Sequence, residues 1–156
     1  MDDDQQFSDM LNSLKRDELI KLIVENVPMM GNEFIAEPLM ETRDLDKLGE
    51  KIGRISEIQR DGIVRKGVIM NQASIWRRVK NEMNLLLCTK DKKYAAVRSK
   101  LSKESGSAHT AIVSSIAAAV GASLGIVPGL LIPLVALILA VMLKIGKEAY
   151  CAGVKT

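Results

Sequence analysis

The side chains most able to do chemistry are scarce in this 156-residue chain: one histidine, His109, and two cysteines, Cys88 and Cys151. With a single histidine, a histidine-based dyad or a multi-histidine metal site has no basis within one chain. No phosphate-binding GxxxxGK[ST] loop, no GxSxG and no HExxH occurs. The acids of the N-terminal third fall at helix-surface spacing, most simply a solvated face. The cysteines lie far apart and match no metal or redox spacing, so two free thiols in a reducing compartment are expected. The sequence therefore leads us to expect no enzyme: no catalytic residue, no metal and no cofactor.

What remains is charge. Residues 1 to 50 hold thirteen acids and five bases, a balance of −8, whereas residues 51 to 103 hold fourteen bases and four acids, a balance of +10. The last third is nearly neutral, and the chain as a whole carries +3. Either the acidic third folds against the basic third, within or between subunits, or the basic zone meets a polyanion or a membrane surface. Arg77, Arg78, Lys80, Lys90, Lys92 and Lys93 are the candidates for holding phosphates of a nucleic acid without reading its sequence. Lys100 and Lys103 stand closer to the apolar region and are equally suited to gripping anionic headgroups. Trp76 could stack on a base, although a lone Trp at a helical apolar position is more often core.

Between Glu104 and Lys144 there is no Asp, Glu, Lys or Arg. The inner part, Ala111 to Leu143, has three serines as its only polar side chains. A spanning helix needs about 20 apolar residues. As one straight helix this stretch would be about 50 Å long, against a hydrocarbon core of about 30 Å, so a break is required. Pro128-Gly129 and Pro133 are the available breakers. Two apolar helices are expected, Ala108 to Val127 and Pro133 to about Lys147, joined by residues 128–132. The alternative is one kinked helix. Arg98, Lys100 and Lys103 before the segment and Lys144 and Lys147 after it put both ends in the cytosol by the positive-inside rule, which a hairpin satisfies. An apolar hairpin buried in a soluble bundle would read the same way. The acidic N-terminus lacks a signal-peptide pattern, which adds to the expectation of a bacterial inner-membrane protein with its soluble domain and C-terminus cytoplasmic.

The first apolar helix carries a small-residue series. Gly121, Gly125 and Gly129 form GxxxGxxxG, and Ala117 extends it one step. Thr110, Ser114, Ala117, Gly121 and Gly125 share one side at helical spacing. Small residues so placed let helix backbones approach closely. They fit packing within the hairpin or packing between subunits, the latter with Thr110 and Ser114 lining a narrow pore.

These features must be positioned by helices. The apolar content is aliphatic, and no run alternates as a strand would. The spacing predicts a first helix over Phe7 to Val27, ended by Pro28 and Gly31, and a second over Leu45 to about Arg60. A third is expected over Ala73 to Cys88, burying Ile75 or Trp76, Val79, Met83, Leu86 and Leu87. A fourth begins near Thr89, with Asp91 in its first turn, and runs through Tyr94, Val97 and Leu101. Residues 102–110 mark the boundary. The expected fold is all-α: a cytosolic helical domain, 1–103, followed by a C-terminal transmembrane helical hairpin or single kinked helix, 104–156, in an oligomer.

A helical domain followed by GASLGIVPGLLIPLVALILAVMLKIG resembles the small membrane effectors of bacterial antiphage defence, in particular the channel effector of the Hailong type. The resemblance implies a homo-oligomeric, tetrameric ion channel that is toxic when open. It also implies short single-stranded DNA as the gating ligand and a partner nucleotidyltransferase that makes it. On that reading Arg77 to Lys93 would contact DNA, and Ser114 to Gly125 would line the pore. Two other classes fit the same architecture, a holin-like permeabiliser and a membrane-anchored adaptor.

Overall fold

Apolar spacing sets the helices of the acidic N-terminal third, but not with the continuity expected. The computed structural model describes residues 3–26, 46, 48–50, 52–53, 75–104 and 108–154. The expected first helix is two, α1 over Asp3–Asn12 and α2 over Arg16–Asn26. The break has a local cause. Ser13 donates its hydroxyl to the Met10 carbonyl at 2.6 Å, and its own N–H turns back to Asp9 and Met10. Side-chain back-bonding of this kind competes with the helical ladder. Asp17 and Glu18 then open α2, where the helix dipole favours acids.

Of the helix expected over Leu45 to Arg60, residues 46, 48–50 and 52–53 are helical, and the remainder lies outside the described residues. Leu48 and Ile52 are buried. Gly49 allows a close approach, because a Cβ there would overlap the Trp76 ring.

Helix α3, Ile75–Cys88, buries Val79, Met83, Leu86 and Leu87 as its spacing predicts, and both Ile75 and Trp76 rather than one of them. The chain then turns rather than starting a new α-helix at Thr89. Asp91 Oδ1 accepts the Lys93 N–H at 2.8 Å and caps a 3-10 turn over Lys92–Tyr94, after which α4 spans Ala95–Leu101. Arg98 fixes this corner. Its buried guanidinium donates to the carbonyls of Leu85 and Leu86 at 3.2 Å and of Asp91 at 2.5 Å. The carbonyls of Leu85 and Leu86, orphaned at the end of α3, are thereby satisfied.

The C-terminal third forms α5, His109–Leu124, α6, Pro128–Ile145, and α7, Lys147–Val154. The connection between the apolar helices is Gly125-Ile126-Val127, not the expected 128–132. Gly125 takes φ +72°, and the N–H groups of Gly125 and Ile126 both reach the Gly121 carbonyl, at 2.7 and 3.0 Å. This is a left-handed glycine cap. Pro128 then sits in the first turn of α6, where its missing N–H costs nothing. Pro133 does not break the helix as expected but lies inside α6. It forfeits one ladder bond near the helix start, where burial of its ring among the packed helices offsets the loss.

Among the described residues all regular structure is helical. Helix α6 is the centre of the packing, touching α2, α5, α3 and α7, while α1 rests against α4. One buried cluster runs from Phe7 to Tyr150, so the segments on either side of residue 104 share a core.

Candidate membrane-insertion element

Helix α6 is the single helix among the described residues long and apolar enough to cross a membrane. Its 18 residues give about 27 Å of helix, close to the hydrocarbon thickness of about 30 Å. Ten consecutive residues, Pro133 to Met142, are buried, which places protein on every side of the helix. Helix α5 is apolar but shorter and keeps one face partly open. Length and composition admit two homes for α6, a bilayer or the centre of a bundle. The described fold is the second.

Polar contacts fasten the apolar pair to the rest of the chain at both of its ends. At the start of α5, His109 Nε2 accepts the Lys15 N–H at 2.8 Å. At its end, Arg78 donates to the Leu124 carbonyl at 3.2 Å and Ser123 donates to Glu82 Oε1 at 3.1 Å. Beyond α6, Lys147 donates to Ser8 Oγ at 3.2 Å, and the Tyr150 hydroxyl donates to Asn84 Oδ1 at 2.9 Å. The last tie is covalent: Cys88 at the end of α3 is bonded to Cys151 in α7. The expectation of two free thiols is therefore corrected. The fold brings the cysteines together because α7 turns back onto α3 after Gly146, a long-range approach across 63 residues that no spacing rule reads.

Glu82 is the hub of the tip-side contacts. Besides Ser123 it accepts the Tyr94 hydroxyl at 2.5 Å and pairs with Lys93 at 2.9 Å. Burial pushes its carboxyl up, but the hydrogen bonds from Tyr94, Lys93 and Ser123 outweigh that and hold it below the usual glutamate value. Burial, with Glu82 beside it, pushes the Tyr94 hydroxyl far up, so it stays a donor. Sequence reasoning missed Glu82; its one legible signal was being the lone acid in α3.

The predicted nucleic-acid residues stand in different settings. Lys80 is ion-paired with Asp46, which also accepts the Trp76 indole N–H at 3.0 Å. Burial raises the Asp46 carboxyl, and the hydrogen bonds from Lys80 and Trp76 bring it below its ordinary value. Lys93 pairs with Glu82, and Arg78 caps α5. Arg77, Lys90 and Lys92 are exposed. Trp76 is core, with 1 % of its surface exposed. Lys100 borders a groove of about 490 Å³ between α4 and α5 that Ser114 also lines.

The small-residue series divides likewise. Ala117 and Gly121 are buried, Ser114 is half-buried, and Thr110, Gly125 and Gly129 are exposed. Thr110 lines a separate small cavity with Glu18 and Lys21. At the turn, Val127 is the exposed large apolar residue among those described, 67 % accessible, followed by exposed Pro128 and Gly129.

No protein-family model, curated protein or solved structure matches this chain.

Proposed function

We propose that this protein permeabilises membranes: it stores α5 and α6 inside a helical bundle and inserts them as a hairpin, assembling into an oligomeric ion channel. One observation carries the reading. A helix of membrane length, apolar on every side, is entered through an exposed and uncharged tip, Val127-Pro128-Gly129. No Asp, Glu, Lys or Arg stands between Glu104 and Lys144. Tip-first insertion thus carries none of these side chains into the hydrocarbon, where each would cost about 3 kcal/mol or more.

The energetics of sheathing support the same order of events. Exposing the buried face of α6 to water costs about 25 cal/mol per Å² of apolar surface. In hydrocarbon that penalty vanishes, because lipid tails are as apolar as leucine. The bundle is closed in water and free to open at a bilayer, where its amphipathic helices can lie in the interface. Lys144 and Lys147 flank the base of the pair at headgroup level. Both ends on one side agree with a cytoplasmic placement at a bacterial inner membrane.

Control by an anion follows from the pairing of the bases. A polyanion such as short single-stranded DNA would compete for Lys80 and Lys93 with Asp46 and Glu82, and so alter the tip-side contacts that hold α5. That extends the reading to a tetrameric antiphage effector whose DNA ligand comes from a partner nucleotidyltransferase, as the resemblance implies. The second reading is an adaptor in which α6 never leaves the bundle; its burial on every side favours it.

The deciding experiment is ion flux through liposomes carrying purified protein, with and without short single-stranded DNA. We expect flux, changed by DNA. Inserted, oligomeric protein that conducts nothing in either condition would leave the adaptor. Flux indifferent to DNA would keep the pore and remove the ligand.

A further inference from the structure

We infer that the Cys88–Cys151 disulfide is a reversible redox site, reduced by a protein dithiol, that latches the apolar helix pair into the bundle. The inference rests on the insertion reading for its consequence in a membrane, but not for its effect on the bundle itself. The bond joins the last residue of α3 to α7, which follows α6 after one glycine. The chain it closes, residues 89–150, contains α4, α5 and α6 entire.

Helices α3 and α6 run in the same direction, both starting at the turn end of the pair. Arg78, near the start of α3, meets Leu124 at the tip, and Cys88, at its end, meets Cys151 beyond α6. Near the tip, Arg78 donates to the Leu124 carbonyl and Glu82 accepts from Ser123. The base is held by a covalent bond. With that bond made, α6 can part from α3 only by swinging out from its tip about Gly146, its base staying at the end of α3. With it broken, the neighbouring polar ties are the hydrogen bond from Tyr150 to Asn84 and the weak contact of the Cys151 sulfur with the Leu87 carbonyl at 3.9 Å. Clearing α3 from α6 is the step insertion needs, and the bond restricts it to a swing about one glycine, so the oxidised form is the slower to open.

The bond is within reach of a reductant. Cys88 and Cys151 both line a cleft of about 820 Å³ together with Phe7, Ser8, Thr89 and Lys147, and neither residue is fully buried. A dithiol of the thioredoxin class attacks one sulfur as the thiolate and forms a mixed disulfide, which its second thiol resolves. Two electrons and two protons pass to Cys88 and Cys151, which become thiols, and the dithiol leaves as its own disulfide. In oxidising surroundings the latch rests closed; in a reducing compartment the pair rests as thiols, and a low-molecular-weight disulfide such as oxidised glutathione closes it by two exchanges, taking the two electrons and two protons and leaving as two thiols.

The test compares full-length protein, oxidised and then reduced by a tris-phosphine or by thioredoxin, with the C88S/C151S variant. Thiol titration fixes the state of each sample. Dye release from liposomes containing anionic lipid is read beside hydrogen exchange over residues 139–151 in buffer. We expect reduction to speed both on the order of tenfold or more, and the variant to behave as reduced whether or not reductant is present. Equal exchange and equal release from samples of proven different redox state would overturn the latch while leaving the pore intact. Faster exchange without release from either form would keep the latch and overturn the insertion reading. Failure of the two thiols to pair under mild oxidation would also end the proposal.

Discussion

Gly121 has no room for a side chain: a Cβ there would lie 2.5 Å from the Ile126 carbonyl oxygen. Backbone cannot yield as a flexible side chain can, so Gly121→Ala should cost about 1–3 kcal/mol, the usual range for overpacking. Gly125 is constrained differently, by φ +72° in open space, and Gly125→Ala should cost about 1–2 kcal/mol of backbone strain. Urea midpoints of the two variants check both, and an unchanged midpoint for Gly121→Ala would mean that the turn relaxes freely. These glycines make the cap and turn between α5 and α6, a role that GxxxG spacing alone does not separate from packing between subunits. Glu82 offers a second test. Its folded value lies below the ordinary 4.5, so its contribution to stability is complete above pH 4.5 and is lost as the pH falls through the folded value. Glu82→Gln should destabilise by about 1 kcal/mol at neutral pH. The gap between variant and wild type should close as the pH drops below 4.5. A gap independent of pH would show that the ionised carboxylate is not what the tip-side contacts use.

At the scale of elements, the tip separates membrane function from folding better than any core position. Val127 is 67 % exposed and is the N-cap of α6, where an Asp side chain can accept the helix's orphan N–H groups, so Val127→Asp should leave the fold as stable as wild type or about 1 kcal/mol more stable in urea unfolding. If the tip leads insertion, the new carboxylate must enter the bilayer at a cost of about 3 kcal/mol, which would slow dye release roughly a hundredfold. Wild-type release from a correctly folded variant would rule out tip-first entry. The elements themselves were legible to different degrees. Helix α3 has a stripe of buried residues at strict helical spacing, and the structure keeps every member of it. The α1–α2 break was not legible, because a serine hydroxyl back-bonding to Met10 outweighs an apolar pattern that runs straight through. Pro133 misled for a related reason. Proline forfeits only one ladder bond, and burial from Pro133 to Met142 offsets that, so the break fell at Gly125, where a left-handed φ is required.

For the whole molecule, composition announced an all-helical chain and an apolar segment of membrane length, but not that α6 would be the hub of the packing. Apolar content states only that water is excluded, and lipid or protein can exclude it equally well. The disulfide was still less legible, since its partners meet only after four helices have packed between and around them. It makes the last prediction. Closing a loop across 63 residues removes chain entropy worth about 4 kcal/mol from the unfolded state. With a urea dependence of about 2 kcal/mol per molar, reduction should lower the midpoint by about 2 M, and C88S/C151S should match the reduced protein. Trp76, the only tryptophan and almost fully buried, provides the fluorescence signal. A shift well below 1 M would mean that the reduced unfolded chain keeps α5 and α6 collapsed on each other, which lessens the entropy a crosslink can remove. That outcome is physically distinct from a shift of zero with the thiols titrating as free before reductant is added, which would show that the pair is not bonded in solution.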